Sequence, residues 1–418
     1  MRILLAADVF PPRCGGAGWS SYHLARALQA RGHEVLAIVP REGEQGGERS
    51  FGGIAIRDFG YRAFRLPLWR NVSRNEMLWP RLGRFLAEQV RAGSFELIHA
   101  QHSLTIPAAV WAGRRVGVPV VATVRDYWPL CYRSTLLGRG DEPCGRCDLP
   151  GLMRCMGWEL GPLGVLVALA YPYMRGNVRR KAAALARADA VLAVSRHMAG
   201  RLAAIVPAER LHVLPNLVDL EEIAAIVAQE PATEVPASFL LFVGKVEANK
   251  GVRELAAALG QVAASLDAAA RLPVLVAGDG ALADWLAGQL QACGWPARFL
   301  RWAEHEEVLR LLARAELLLF PSRWDEPLSR VLLEACACGT PILAMATGGT
   351  AEIVSDGLSG ALVPPEVGAF AARLHALLAD PLERRRLGEG AREVARRRFA
   401  APVVAERIES LYRTLLRG

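Results

Sequence analysis

An apolar run, a polar loop and a helical pattern follow one another at residues 317–341, which read LLLFPSRWDEPLSRVLLEACACGTP. The run Leu317–Phe320 contains no polar residue, which predicts a short strand that is buried on both faces. Pro327 suits the first position of a helix, and we therefore expect a helix to begin there. A buried strand that leads through a polar loop into a helix is typical of a doubly wound parallel sheet.

The same order of elements recurs along the 418 residues of the chain. Short runs of Val, Ile, Leu and Ala alternate with helical patterns from residue 3 to residue 195. The series starts again at residue 239, after a polar stretch at residues 229–238. The length suits two domains of about 200 residues each. We predict an α/β protein with two Rossmann-like, doubly wound domains, residues 1–220 and 238–398, that face each other across a cleft.

The composition excludes several classes of protein. Hydrophobic residues make up 52% of the chain, which indicates a globular protein, and the net charge of +8 suits an anionic ligand or an anionic membrane surface. Arginines are spread along the chain without a basic and aromatic array, so no nucleic-acid partner is expected. Met1–Phe10 is typical of a buried strand rather than a targeting segment. Eight cysteines suit a reducing compartment, and we expect a cytoplasmic protein.

Polar residues that follow the predicted strands are the first candidates for ligand binding, because parallel sheets bind ligands at the carboxyl ends of their strands. Gly15 and Gly16 follow the first strand, and adjacent glycines allow backbone N–H groups to approach an anion closely. Lys245 and Lys250 follow the first strand of the second domain and could both reach one diphosphate. The alternative for Gly15 and Gly16 is an ordinary flexible loop, and the alternative for Lys245 and Lys250 is a solvated loop with two surface lysines.

Two glutamates lie close to the predicted start of the helix at Pro327. Glu326 precedes the helix, and Glu334 would lie two turns inside it on the same side. The N–H groups of Leu328 and Ser329 would then be unpaired donors of the first turn, available to a phosphate. In the alternative interpretation, one glutamate caps the helix and the other is a surface charge.

These features together resemble the signature of family 4 glycosyltransferases. The resemblance rests on the segment Phe320–Gly349, with its two glutamates, the run from Glu334 to Pro341, and Thr347-Gly348-Gly349. It implies the two-domain GT-B fold, with a C-terminal helix at residues 399–418 that packs back onto the first domain. Looser matches in the expected order are Gly15-Gly16, Gly32-His33, Asn216 within Val213–Asp219, Ala277–Gly280 and Arg398–Leu416.

The resemblance also implies roles for individual residues. Glu326 would bind the hydroxyls of the donor sugar, Glu334 the ribose, and Lys245 and Lys250 the departing diphosphate. Catalysis would retain the anomeric configuration and would need no cofactor. The donor, a nucleotide-diphosphate sugar, would be held by these residues together with Gly15, Gly16, Pro327, Leu328 and Ser329.

The chain departs from the family pattern at three positions. Asn216 is followed by Leu217 where the family usually has Gly. The family usually has Arg where Lys245 stands, and Lys lacks the planar fork of a guanidinium. The usual Thr-x-His appears as Thr123-Val124-Arg125. We place Arg125, the adjacent Asp126 and His102 on the acceptor side, where Arg125 suits an acidic sugar or a phosphate on the acceptor.

Four of the eight cysteines lie within 25 residues, at Cys131, Cys144, Cys147 and Cys155. The Cys-x-x-Cys pair places two thiolates on one tight turn, and two further thiolates would complete a tetrahedral zinc site. A structural zinc would order a loop rich in glycine and proline. Free thiols, an oxidised pair and an iron–sulfur cluster remain the alternatives.

The apolar run Leu160–Met174 is too short to span a bilayer, which requires about 20 residues. It is followed by Arg175, Arg179, Arg180 and Lys181, and such a pair of segments suits peripheral contact with the inner face of an anionic membrane. A core helix with a solvated end is the alternative.

The expected function is retaining transfer of a sugar to a glycan, lipid or small-molecule acceptor, in the synthesis of cell-surface polysaccharide or glycolipid. Two alternatives remain open. One is a nucleotide-sugar epimerase of the same fold, and the other is a sugar-nucleotide-binding protein without enzymatic activity.

Overall fold

The computed structural model describes residues 1–12, 14–43, 45–138, 144, 147–157 and 165–417. The chain forms two compact units, Met1–Leu217 with Ala401–Gly418, and Val218–Ala400. The C-terminal segment therefore belongs to the first unit. Residues 218–238, which the sequence analysis placed at the end of the first domain and in a linker, are part of the second unit.

One mainly parallel sheet forms the centre of the first unit. Its strands are β1 (Arg2–Ala7), β2 (Glu34–Glu42), β3 (Gly47–Phe51), β4 (Ile54–Tyr61), β5 (Leu97–Gln101), β6 (Val120–Val124), β7 (Ala190–Ala193) and β8 (Leu211–Val213). In space they follow the order β3-β4-β2-β1-β5-β6-β7-β8, and only the edge pair β3 and β4 is antiparallel. The order reverses between β1 and β5, so the loops that follow these two strands flank a topological switch point.

Helices cover this sheet because its strands carry apolar residues on both faces. Within the described residues they are α1 (Gly16–Ala30), α2 (Pro67–Arg74), α3 (Leu78–Gly93), α4 (Thr105–Val116), α5 (Leu149–Leu152), α6 (Val165–Leu185) and α7 (Arg196–Leu202). Helix α1 begins at Gly16, within the Gly15-Gly16 pair that the sequence singled out. Gly15 is extended and caps the helix, and the Gly18 N–H donates to the Gly15 carbonyl over 3.0 Å.

The second unit contains a fully parallel sheet. Its strands are β9 (Leu240–Val243), β10 (Val274–Ala277), β11 (Ala297–Arg301), β12 (Leu317–Phe320), β13 (Ile342–Met345) and β14 (Ala361–Val363). Its helices are α8 (Leu220–Val227), α9 (Val252–Ala263), α10 (Ala283–Ala292), α11 (His305–Arg314), α12 (Arg330–Cys338), α13 (Val367–Ala379) and α14 (Pro381–Val394). The strand order β11-β10-β9-β12-β13-β14 reverses between β9 and β12, which is the switch point of this unit. Both sheets confirm the predicted fold class.

The last helix, α15 (Ala401–Arg417), packs into the first unit through buried polar contacts as well as apolar ones. The Tyr412 hydroxyl lies 2.5 Å from Nδ1 of His99, and Nε2 of His99 lies 2.7 Å from the Thr123 hydroxyl. Burial lowers the pKa of His99 well below its usual value, and the nearby Arg125 adds to the effect. Glu409, which is 4% exposed, pairs with Arg31 over 2.5 Å. These contacts join α15 to β5, β6 and α1.

The two ends of the second unit lie side by side. The Val218 N–H donates to the Phe399 carbonyl over 2.9 Å, and Val218 forms a parallel bridge with Ala400. The chain therefore enters and leaves this unit at one place.

None of the helices in the described part of the chain combines the length and the apolar character that crossing a membrane requires.

A close backbone approach fixes the switch point of the second unit. Gly251 has φ +74° and begins helix α9, and a Cβ atom at this position would lie 1.8 Å from the carbonyl oxygen of Pro321. Only glycine permits both this left-handed conformation and this distance. The loop that follows β9 can therefore pack directly on the loop that follows β12.

We expect Gly251→Ala to lower the free energy of unfolding by more than the roughly 1–3 kcal/mol that a left-handed non-glycine residue costs, because the new methyl group also overlaps a carbonyl. Gly260→Ala is the matched control. Gly260 lies inside α9 with open space beside it, and alanine there should stabilise the helix by up to about 1 kcal/mol. Urea denaturation of both variants measures the difference, and equal stabilities would contradict this account of Gly251.

Candidate active site

The loops that follow β9 and β12 meet at the switch point of the second unit. The Asn249 carbonyl accepts hydrogen bonds from the N–H groups of Arg323 at 3.1 Å and Trp324 at 3.0 Å. The Lys250 ammonium lies 4.5 Å from the centre of the Trp324 ring, a cation–π distance. These contacts hold Lys250 over the loop that carries Glu326.

Glu326 is a buried carboxylate with two side-chain partners. It is 3% exposed, and its Oε1 accepts from the Lys250 ammonium at 2.6 Å and from the Ser322 hydroxyl at 2.8 Å. Its main chain is held as well, because the Gly349 N–H donates to the Glu326 carbonyl over 2.6 Å. Gly348 has φ +51°, and a Cβ there would lie 2.3 Å from that same carbonyl. The carboxylate is therefore fixed in position and paired with a cation.

Glu334 lies in α12 and is 4% exposed. Its carboxylate lies 2.7 Å from the Nε2 atom of His305 and 2.7 Å from the Nε atom of Arg330. His305 begins α11 and Arg330 begins α12, so two helix starts converge on this one carboxylate. The sequence analysis did not name either partner. His305 follows strand β11, and the same strand-end rule that found the lysines points to it.

The helix that was predicted from Pro327 begins at Arg330 instead, which corrects the local geometry. Glu334 lies one turn inside the helix rather than two, and Leu328 and Ser329 precede it. Ser329 is the N-cap residue, Leu328 and Pro327 are buried, and the first-turn N–H donors belong to Arg330 and the residues after it.

The two candidate lysines occupy different environments. The Lys250 side chain is 23% exposed and contacts Glu326, whereas the Lys245 side chain is 74% exposed and lies 3.8 Å from the Glu247 carboxylate. The structure thus brings Lys250 and Glu326 together and leaves Lys245 at the surface of the loop.

Polar residues also gather at the carboxyl ends of the strands of the first unit. His102 follows β5 with φ +105°, a conformation rare for a residue with a side chain, and its Nε2 lies 3.0 Å from the Asp126 carboxylate. Burial opposes the charge of His102, but the neighbouring Asp126 raises its pKa overall. The Nε group of Arg125 donates to the Asn216 Oδ1 atom at 2.9 Å. Gly15 and Gly16 lie exposed at the start of α1.

The four clustered cysteines border a single cavity of about 250 Å³ in the first unit. Burial raises the pKa values of the Cys147 and Cys155 thiols, and the nearby cysteines add to the effect. Within the described residues, no three His, Cys, Asp or Glu side chains stand in an arrangement ready to hold a metal ion. The four thiols therefore surround a space rather than an assembled centre.

The two units have the fold of the two-domain GT-B glycosyltransferases. Solved structures with the same fold align with this chain over almost its whole length. Sucrose-phosphate synthase from Thermosynechococcus elongatus superposes with a TM-score of 0.70 at 23% identity, covering 100% of this chain and 99% of that one. HepE from Anabaena, solved in complex with UDP, gives a TM-score of 0.68 at 19% identity, covering 99% and 100%.

The chain belongs to glycosyltransferase family 4. The sequence profile described as Glycosyltransferase Family 4 matches residues 14–222, half of the chain, and the profile described as Glycosyl transferases group 1 matches residues 228–394. The protein is accordingly a glycosyltransferase, as the sequence predicted.

Curated relatives are similar at a moderate level. Glycogen synthase from Mycobacterium tuberculosis is 26% identical over 445 residues, covering 100% of this chain and 96% of the relative. D-inositol 3-phosphate glycosyltransferase 1 from Catenulispora acidiphila is 28% identical over 359 residues, covering 81% and 77%. The names of these relatives describe different acceptors.

We expect Lys250→Met to reduce turnover strongly and to lower stability, because it leaves the buried Glu326 carboxylate without its cation. A fully buried pair costs about 3–5 kcal/mol to break, and the partial exposure of Lys250 makes about 1–3 kcal/mol the expected loss. The double variant Lys250→Met with Glu326→Gln should regain most of the stability without regaining turnover. Lys245→Met is the matched control, whose melting temperature should stay unchanged. If the Lys250→Met variant has the melting temperature and the turnover of the wild type, the pair of Lys250 and Glu326 contributes neither to stability nor to activity.

Proposed function

We propose that the protein transfers a sugar from a nucleotide-diphosphate sugar to a glycan, lipid or small-molecule acceptor with retention of the anomeric configuration. The synthesis of cell-surface polysaccharide or glycolipid is the proposed setting. The observation that carries the proposal is the pair of Lys250 and Glu326, buried where the strand order of the second unit reverses.

Charge placement supports the assignment of these two residues. As the bond between the anomeric carbon and the diphosphate breaks, negative charge grows on the leaving oxygen. A fixed cation near that oxygen stabilises the transition state more than the ground state. Lys250 is held by Glu326 and Trp324 before any ligand arrives, so little reorganisation is needed. One charge-assisted hydrogen bond of this kind is worth about 1.5–3 kcal/mol.

The proposed reaction breaks one bond and forms another on the same face of the sugar. The oxygen of the acceptor hydroxyl bonds to the anomeric carbon as the diphosphate departs with the bonding electron pair. The proton of that hydroxyl passes to the departing phosphate oxygen. Glu326 accepts hydrogen bonds from the sugar hydroxyls and faces the positive charge that develops on the ring. In this mechanism, lysine cations balance the diphosphate charge, so no cofactor is assigned.

Glu334 is proposed to hold the ribose. Its carboxylate is buried but has more than one lone pair, so it can accept from ribose hydroxyls while Arg330 and His305 fix its orientation. Gly15, Gly16, Lys245, Pro327, Leu328 and Ser329 complete the proposed donor contacts. HepE was solved with UDP and with UDP-glucose, which makes a uridine donor the first to test.

The acceptor is proposed to contact His102, Asp126 and Arg125. The strained backbone of His102 is typical of a residue held in place for function. Arg125 is oriented by Asn216, and its charge suits an acidic sugar or a phosphate on the acceptor.

An exposed apolar and basic surface on the first unit supports peripheral contact with an anionic membrane. At the start of α2, Phe64, Leu66 and Trp69 are 54%, 67% and 56% exposed, and Arg65 and Arg70 lie among them. Apolar side chains that insert beside basic ones are typical of interfacial helices.

The other segment predicted to meet the membrane is only partly described. Residues 160–164 lie outside the described residues, but Leu169 of α6 is 76% exposed. Cytoplasmic placement at the inner face of the membrane is part of the proposal.

We expect the double variant Leu66→Ser with Trp69→Ser to bind anionic vesicles at least about tenfold more weakly, because burying each such side chain contributes about 1.5–3 kcal/mol. Trp302→Ser, which removes a tryptophan of the second unit that is 71% exposed, should bind like the wild type. Cosedimentation with vesicles of anionic and of neutral lipid measures this. Equal binding by the wild type and the double variant would exclude α2 as the contact.

The central test of the proposed function compares the two glutamates. Glu326→Gln should chiefly lower kcat, because it removes a negative charge close to the sugar ring, where positive charge develops in the transition state. Glu334→Gln should chiefly raise the KM for the donor, because the ribose does not change during the reaction. Donor-saturation kinetics of nucleotide release, after a thermal-shift screen of UDP-, GDP- and ADP-sugars, measures both constants.

Glu389→Gln is the control for this comparison, since Glu389 is an exposed glutamate of the same unit. It should leave kcat and KM unchanged. Wild-type constants in both active-site variants, with normal circular dichroism spectra, would show that the site is wrongly assigned.

A further inference from the structure

The four clustered cysteines of the first unit all border one cavity. Cys131 lies in a turn in which its N–H donates to the Tyr127 carbonyl at 2.8 Å and its carbonyl accepts from Ser134 at 3.0 Å. Cys144 donates through its N–H to the Leu136 carbonyl at 2.7 Å. These hydrogen bonds fix the main chain of both residues, and both cysteines border the same cavity.

The other two thiols are placed by short helical turns. Cys147 directly precedes Asp148, whose carboxylate caps α5 by accepting from the Gly151 N–H at 2.8 Å. Cys155 lies in the π-helical turn Met153–Gly157 that follows. Turns of π-helix are rare in proteins, and many of those that occur lie at functional sites.

The described part of this segment contains strained backbone. Ser134 and Leu136 both have left-handed φ values, +64° and +54°, which are unfavourable when the residue is not glycine. Leu152, Val167 and Met174 form a small buried apolar cluster beside the cavity, and partly buried side chains, among them Cys147, pack against it. A bound metal would add to this packing and offset the backbone strain.

The charges around the cavity suit a metal bound by thiolates. Zinc bound to four cysteines releases four protons and leaves a centre with a net charge of −2. The guanidinium of Arg133 lies 3.8 Å from the sulfur of Cys155, and Arg201 also borders the cavity. Two fixed cations would offset that charge. Mg²⁺ and Ca²⁺ prefer oxygen ligands, so a set of four thiolates favours zinc over them.

We propose that Cys131, Cys144, Cys147 and Cys155 bind one structural Zn²⁺, which draws the four thiolates into the cavity and fixes the loop. Lys250 and Glu326 lie in the second unit, whereas the four cysteines lie in the first unit, in the segment that follows the proposed acceptor residues Arg125 and Asp126. The metal is therefore assigned a structural role in that segment and no part in bond breaking. Loss of the metal should therefore destabilise this part of the first unit, without directly affecting the breaking of the bond between the donor sugar and the diphosphate.

The full-length protein, purified without a metal-affinity step, should contain about one zinc per chain by elemental analysis. The double variant Cys144→Ser with Cys147→Ser should contain almost none and should melt at a lower temperature. Cys293→Ser is the matched control, because Cys293 is a free cysteine of the second unit, and it should keep the full zinc content.

Cobalt provides a second measurement that needs no variant. The wild-type protein, stripped of zinc and loaded with Co²⁺, should show the visible bands of a tetrahedral centre and the near-ultraviolet band of thiolate ligation. Cobalt without the thiolate band, an iron–sulfur chromophore, or a metal-free native protein with four reactive or disulfide-bonded thiols would each overturn the proposal.

Discussion

The contact between two loops of the second unit sets the geometry of everything around it. Gly251 lies against the carbonyl of Pro321, and the carbonyl of Asn249 accepts from the N–H groups of Arg323 and Trp324. Each loop follows a buried strand, and the two strands are neighbours at the point where the sheet order reverses. The absence of one Cβ atom at Gly251 therefore decides whether Lys250 can reach Glu326.

The buried charges show a common arrangement in both units. Glu326 is balanced by Lys250, Glu334 by Arg330 and His305, and Glu409 by Arg31, and each carboxylate is almost fully buried. A buried carboxylate without such a partner would be costly, so each of these sites fixes the side chains around it. At the switch point this constraint fixes the Lys250 ammonium and the Glu326 carboxylate beside each other.

The sequence was sufficient to predict the two parallel sheets, because strands buried on both faces read as unbroken apolar runs. The edge hairpin of β3 and β4 was missed, although Gly52-Gly53 between its strands is a turn signal. The helix start at Pro327 was wrong, since hydrogen bonds from Glu326 to Trp324 and from Gly349 to Glu326 hold that segment outside the helix. The sequence spacing could not show that Lys250 contacts Glu326 while Lys245 stays exposed, because tertiary packing decides this. For the same reason, it could not predict the contact between His305 and Glu334, which are 29 residues apart.

The second unit begins at Val218 and ends at Ala400, and these two residues pair with each other as a bridge. In terms of chain topology, the second unit is an insertion into the first unit, whose sequence resumes with α15. An inserted domain whose ends are adjacent can be exchanged as one cassette without reconnecting the host fold. Two crossovers, at residues 217–218 and 400–401, would therefore replace the whole second unit while leaving the sheet and the last helix of the first unit intact.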